Sequence, residues 1–241
     1  IMGCRDLHAG AHAIDELEAD GCDTEELELV GVDVSDTSSI LSAVNEISSR
    51  TGHLDLLVNN AGLYVDGGSI LQTTERQLTS MLKTNAFSAL LLTRSLWGLL
   101  KAGDTPGRIV NVSSDLAQLS ELDERAPAFS ISKTALNAIT VHLAAELKEH
   151  GVSVNAVCPG AVDGEIWGED TDRDIREAAG TIVWLACDAP GDLTGKFLKD
   201  KQERSSLVPC KWRRCPYCVS RQEIFANGIR TIALADELPC V

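Results

Sequence analysis

Short apolar runs and longer amphipathic stretches take turns along most of this chain, and that alternation constrains its fold more than any other feature. It is the pattern of a parallel sheet whose crossovers are helices packed on its faces. The candidate strands are 1–4, 27–32, 54–59, 108–112, 152–157 and 195–198, each short and rich in Val, Leu or Ile. The candidate helices lie at 8–20, 37–50, 72–101, 127–149 and 172–187, the third of them broken near Asn85. Over 130–149, Ile131, Leu136, Ile139, Leu143 and Leu147 recur at spacings of three to five, and Gly151 follows as a stop. The fold class that follows is α/β, a doubly wound parallel sheet.

A length of 241 residues with 44% hydrophobic and 24% charged side chains fits one domain with a sizeable core. Asp and Glu outnumber Lys and Arg by 36 to 21, so the surface repels nucleic acid and anionic membranes, and neither is expected as a partner. Ten acidic and no basic residues fall between Asp15 and Asp36, read as a solvated helix face and loop. No stretch approaches the roughly eighteen apolar residues of a membrane span, and the start lacks the basic-then-apolar pattern of an export signal. A cytoplasmic location is expected, with Cys4, Cys22, Cys158 and Cys187 as small buried hydrophobes rather than a disulfide framework.

The composition shifts after Asp200. Residues 201–241 carry seven Lys and Arg against four Asp and Glu, and four of the eight Cys, leaving a net charge of -18 on the first 200. The expected organisation is a domain over 1–200 followed by an irregular Cys-rich basic tail over 201–241. Cys215 and Cys218 have the spacing of zinc ligands, but Cys210 and Cys240 are irregularly placed and the tail has no His, so no metal is expected. Lys211, Trp212, Arg213 and Arg214 read as a solvated cluster.

Chemistry is suggested where strands end, because in an open parallel sheet the carboxyl ends of the strands face the ligand crevice. The third strand runs into Asn59-Asn60-Ala61-Gly62, where the amides can bond to neighbouring strands and Gly62 permits close backbone approach to a ligand. The fourth ends Asn111-Val112-Ser113-Ser114, Phe129-Ser130-Ile131-Ser132-Lys133 opens the next helix, and Cys158-Pro159-Gly160 ends the fifth strand. The loop after Gly160, with Asp163, Glu165, Trp167 and Asp170, and the region near Leu116 would build a substrate pocket of polar character.

Together these segments resemble the short-chain dehydrogenase/reductase family over about residues 1–200, and within it the NADPH-dependent carbonyl reductase group, through Gly3-Cys4-Arg5-Asp6 and Lys83-Thr84-Asn85. The resemblance implies a Rossmann-like domain, NADP(H) as cofactor and a small carbonyl or alcohol as substrate. By match, Ser114 donates to the substrate oxygen and Lys133 holds the nicotinamide ribose. Asn85 anchors the water chain that resupplies the proton. Asp33 and Val34 contact the adenine, Arg5 meets the 2'-phosphate, and Asn60, Ala61, Gly62, Pro159 and Gly160 line the cofactor. The two long helices are faces that many members pack against a partner. Only fifteen positions separate Ser114 from Phe129, too few for the insertion that keeps many carbonyl reductases monomeric, so a homodimer through these helices is implied.

Two departures matter. Phe129 occupies the place of the tyrosine in the family's Tyr-x-x-x-Lys motif, and a phenyl ring can neither donate a proton nor form a phenolate. Tyr64 and Tyr217, the only tyrosines, fall outside the motif. Nothing like Gly-x-x-x-Gly-x-Gly precedes Ile1, so 1–4 corresponds to the family's second strand and the central first strand is missing. Either the chain is a fragment of a longer product with two strand edges exposed, which is the expectation, or the flanking strands pair directly. Three readings follow: an NADP-dependent oxidoreductase, a non-catalytic dinucleotide- or protein-binding relative marked by Phe129, and an interaction role for the tail.

Overall fold

The centre of the structure is a pair of parallel strands, β4 (Arg108–Val112) and β5 (Ser153–Val157), in which every residue but Arg108 is buried. A computed structural model describes residues 1–65, 68–160 and 174–204, which belong to one structural unit. Ile109 stands opposite Val154 and Asn111 opposite Ala156 in the β4–β5 register. β3 (Leu56–Asn59) adds to β4, and β6 (Phe197–Lys199) adds to β5, all parallel. β7 (Gln202–Arg204) returns antiparallel on β6, giving the order β3-β4-β5-β6-β7. A second, two-stranded sheet pairs β1 (Met2–Cys4) in parallel with β2 (Leu29–Gly31).

Because successive strand residues point to opposite faces, the sheet sorts its side chains into two cores. On one side Ile109 and Val154 pack with Ile40 and Val44 of α2 (Thr37–Arg50), Leu96 and Leu100 of α4 (Ser88–Leu100), and Leu143 and Leu147 of α5 (Pro127–Leu147). On the other, Val110, Val112, Val157 and Leu198 pack with Leu185 of α6 (Ile175–Cys187). Helices on both faces make the sheet doubly wound, as the alternation requires. α5 ends on a short 3-10 turn and Gly151, whose φ of 75° is a left-handed stop. α1 (Leu7–Ala19) is capped by Asp6, whose side chain accepts from the backbone N–H groups of His8 and Ala9. Over residues 1–31 only Gly10 and Val30 are buried. No helix among the described residues is long and apolar enough to cross a membrane.

The expected strands and helices are all present, with ends displaced by up to three residues, and three expectations need correction. The stretch 72–101 does not break at Asn85. It contains α3 (Glu75–Leu82), a π-helical turn over Lys83–Phe87 and α4 in direct succession, with helical backbone kept throughout. A π turn widens the spiral by one residue and re-aims the side chains it carries, here burying Asn85. Direct pairing of the strands that would flank the missing central strand, the alternative to a fragment, is not seen: β1 pairs with β2 and β3 with β4, and no ladder joins β1 to β3 among the described residues. Regular structure runs past Asp200, since Asp200 and Lys201 (φ 53° and 61°) form a two-residue hairpin turn into β7. Of the four Cys expected to be buried, Cys158 is buried and Cys4 half-buried, but Cys22 and Cys187 are exposed, one just past α1 and one closing α6. The tail cysteines and the polar loop Asp163, Glu165, Trp167 and Asp170 lie outside the described residues.

A buried polar chain locks β3, β4 and α5 together. The Asn59 side-chain amide donates to Asn111 Oδ1 (2.8 Å), Asn111 donates to Thr140 Oγ1 (2.8 Å), and Thr140 donates to the Leu136 carbonyl (2.8 Å). Asn111 is fully buried, so Asn111→Ala leaves a donor on Asn59 and an acceptor on Thr140 unpaired. The expected loss is about 2–4 kcal/mol, measured by urea unfolding.

Candidate active site

Three strand ends converge on one cavity. Gly3, Cys4 and Arg5 lie at the end of β1, Val32 to Ser35 follow β2, and Ala61, Gly62 and Leu63 follow β3. With Ser80, Lys83 and Thr84 from α3 and the π turn they enclose about 590 Å³. The Asp33 carboxylate accepts from Ser35 N–H (2.8 Å) and Ser35 Oγ (2.7 Å), and the Ser39 hydroxyl accepts from Asp33 N–H (2.9 Å). The Ser35 bonds, with a smaller contribution from Arg5, hold Asp33 below its ordinary carboxylate pKa. Among the expected cofactor residues, Arg5, Asp33, Val34, Ala61 and Gly62 are thus brought together, while Asn60, Pro159 and Gly160 do not line the cavity.

A second cluster begins at Gly62. A Cβ at that position would stand 3.6 Å from Lys133 Nζ and 3.7 Å from Asn85 Oδ1, ordinary contact distances, so Gly62 borders both side chains as well as the cavity. Asn85, 2% exposed, uses its whole amide. Oδ1 accepts from Leu63 N–H (2.6 Å), and Nδ2 donates to the Leu63 carbonyl (2.9 Å) and to Ser132 Oγ (2.9 Å). It therefore clamps the segment after β3 to α5. Lys133 is buried on α5, its ammonium donating to the Val112 carbonyl at the end of β4 (2.8 Å) and lying 5.7 Å from the Phe129 ring centroid. Positions 129 and 133 share a helix face, which accounts for that contact. The helix carrying both opens on Ala126, in left-handed backbone (φ 43°), followed by Pro127 at the first turn.

Ser114 caps the 3-10 turn Asp115–Ala117, its Oγ accepting from Leu116 N–H (3.2 Å), which leaves its own proton for another oxygen. The turn is pinned by Lys199 of β6, whose ammonium contacts Asp115 Oδ2 at 2.5 Å. The neighbouring Ser113 Oγ is buried and has no hydrogen-bond partner among the described residues. Cys158 follows β5. Burial, with Asp115 next in weight, pushes its thiol up to about 11, and its Sγ accepts from Gly160 N–H (3.3 Å). Gly160 has φ 85°, which a residue with a Cβ rarely adopts. Pro159 and Gly160 are half-buried.

Lys83, Ser35 and Ser80 line the cavity and Tyr64 lies against Phe129, though the sequence patterns gave none of them a site role. Lys83 was visible only as a neighbour of Asn85. Tyr64 could be found only through the fold, since sixty-five positions separate it from Phe129.

Burial pushes the Lys133 ammonium down to about 8 from its ordinary 10.5. The unfolded chain then binds more protons than the folded one between those values, so this residue's contribution to stability rises with pH across that window and its penalty is full below it. Lys133→Met should be more stable than the parent at pH 7 by about 2 kcal/mol. That difference should shrink as the pH approaches 10, in urea unfolding carried out at a series of pH values.

The family model for short chain dehydrogenase matches residues 2–174. The chain is 32% identical to sorbitol dehydrogenase of Cereibacter sphaeroides over 138 residues, 57% of this chain and 53% of that protein, so it spans about half of that relative's length. Short-chain dehydrogenase/reductase 1 of Saponaria officinalis is 29% identical over an alignment covering 82% of this chain and 84% of that one. The crystal structure of NADPH-bound carbonyl reductase from chicken fatty liver superposes with a TM-score of 0.73 at 25% identity, covering 83% of this chain and 84% of the other. With the strand-end cavity and the Ser114, Phe129 and Lys133 arrangement already placed, the match over 2–174 settles the family: this chain belongs to the short-chain dehydrogenases.

Proposed function

We propose that this chain is an NADP-dependent oxidoreductase acting on a carbonyl/alcohol pair. The observation that carries the reading is the cavity at the ends of β1, β2 and β3, lined by two cations, Arg5 and Lys83, and by Gly62, which also borders Lys133 and Asn85. The donor set suits a phosphorylated nucleotide. A guanidinium at the rim can pair bidentately with a 2'-phosphate, Asp33 and Val34 offer the adenine contact, and the exposed backbone at Ala61 and Gly62 admits close approach. NADPH in the chicken carbonyl reductase supports that choice of dinucleotide, and the sorbitol dehydrogenase name supports an alcohol/carbonyl substrate.

When bound, the nicotinamide supplies or takes the hydride. Lys133 holds the ribose, and its ammonium keeps positive charge beside the reacting oxygen. Ser114 stabilises that oxygen by donating its free hydroxyl proton. Asn85 positions Leu63 and Ser132 around them. Phe129 presents only a phenyl ring to the oxygen, so position 129 supplies no acid. The reading extends to a homodimer through the helices bearing Phe87, Leu90 and Ile131, all of which are exposed.

Titration of the chain with NADPH, followed by nicotinamide fluorescence, should show micromolar binding at least tenfold tighter than NADH, and Arg5→Ala should remove that preference. Equal affinities in the parent would count against a 2'-phosphate site at Arg5. Phe129→Tyr should raise turnover of an aldehyde at least tenfold with NADPH binding unchanged.

A further inference from the structure

The oxygen of a reduced carbonyl must receive a proton, and Phe129 has none to give. The structure sets a different phenol against that ring. Tyr64 meets Phe129 edge-on, with ring centroids 5.4 Å apart and planes at 71°. Phe129 therefore touches both a phenol and, 5.7 Å from its centroid, the Lys133 ammonium. Tyr64 is half-buried in one apolar cluster with Met81, Leu116, Ala128 and Phe129, and Leu116 lies in the turn that Ser114 caps. The wall holding Tyr64 is thus the wall holding the serine that faces the substrate oxygen. The backbone just before Tyr64 is fixed as well, since Asn85 bonds both the N–H and the carbonyl of Leu63. A donor held this way approaches a substrate without having to be ordered first.

We infer that Tyr64 is a catalytic residue and supplies the proton that position 129 does not. This rests on the oxidoreductase reading above. In the reduction, the carbonyl carbon gains a hydride from NADPH and the C=O π pair moves onto oxygen. The O–H bond of Tyr64 breaks as its proton passes to that oxygen, completing the alcohol. The phenolate left behind takes a proton back from water. In the reverse direction Tyr64 first gives its proton to water, and the phenolate so formed removes the alcohol proton while the carbon gives its hydride to NADP+.

The chain has two tyrosines, so Tyr217→Phe leaves Tyr64 as the only phenol. A primary amide such as isobutyramide offers a carbonyl that accepts no hydride. Added to the Tyr217→Phe protein, it should produce a tyrosine ultraviolet difference band, absent from the Tyr64→Phe/Tyr217→Phe protein. Identical spectra from the two would overturn the assignment. In turnover, Tyr64→Phe should lower kcat at least tenfold while the carbonyl KM and NADPH affinity stay within about threefold. Phe129→Tyr should also give a larger gain in the Tyr64→Phe background than in the parent, because either phenol can serve. A Tyr64→Phe protein that binds NADPH and turns over at the parent rate removes this inference alone. Absence of NADPH binding in both the parent and Phe129→Tyr removes the oxidoreductase reading, and this inference with it.

Discussion

One buried amide, Asn111, joins the three elements on which the site stands. Through it β3, β4 and α5 share a single hydrogen-bonded chain in which Asn111 and Thr140 are shielded from solvent. The consequences are positional. Asn60 to Gly62 leave the end of β3, Ser113 and Ser114 leave the end of β4, and Phe129, Ser132 and Lys133 project from α5. A slip of one residue in the β3–β4 register would turn Asn59 to the other face and break the chain, so the network specifies register as well as contributing energy. The apolar cores on either side would tolerate exchange among Val, Leu and Ile far better than this layer would tolerate loss of one amide.

The alternation of apolar runs with amphipathic stretches made the main sheet and its helices legible, because period is a local property; the cofactor positions were expected from the family resemblance alone. What escaped the sequence depends on tertiary packing or on backbone shape. The hairpin into β7 turns on Asp200 and Lys201, and that pair lacks the glycine that would have marked two left-handed residues in succession. The π turn around Asn85 has no glycine or proline to announce it, and the three bonds Asn85 makes to Leu63 and Ser132 are tertiary contacts that no local pattern encodes. Cys22 and Cys187 differ from Cys158 only in where the chain sets them: past one helix, at the end of another and at the foot of a central strand. For the candidate site, the motif residues were readable one by one, but the approach of Tyr64 to Phe129 exists only once the segment after β3 is brought against α5.

Lys133 carries its charge into this fold at a cost in desolvation. Its ammonium is held by one backbone carbonyl and one aromatic ring, and no carboxylate among the described residues pairs with it. A buried acid at that point would neutralise the positive field and relieve the desolvation, but would also compete with any anionic oxygen entering the site. Leaving the charge without an anionic partner keeps it available to a ligand. The Asp115–Lys199 pair next to it is arranged the opposite way: two charges satisfy one another and fasten the Ser114 turn to β6.

The two walls of the cavity differ in how firmly they are built. Ala61 and Gly62 extend from a strand joined to the central sheet, whereas Arg5 and Asp33 extend from a β1–α1–β2 layer in which only Gly10 and Val30 are buried. Few buried contacts imply a small free energy for local opening, so opening of this layer should cost less than global unfolding. In the dinucleotide reading proposed above, a ligand would rest at Arg5 on the thinly packed layer and near Lys133 on the fully packed one. Observed affinity then carries a factor for the fraction of molecules in which the thin layer is closed, and a ligand bridging both walls acts as a latch that lowers the amide exchange of residues 1–31 before it changes anything in the central strands.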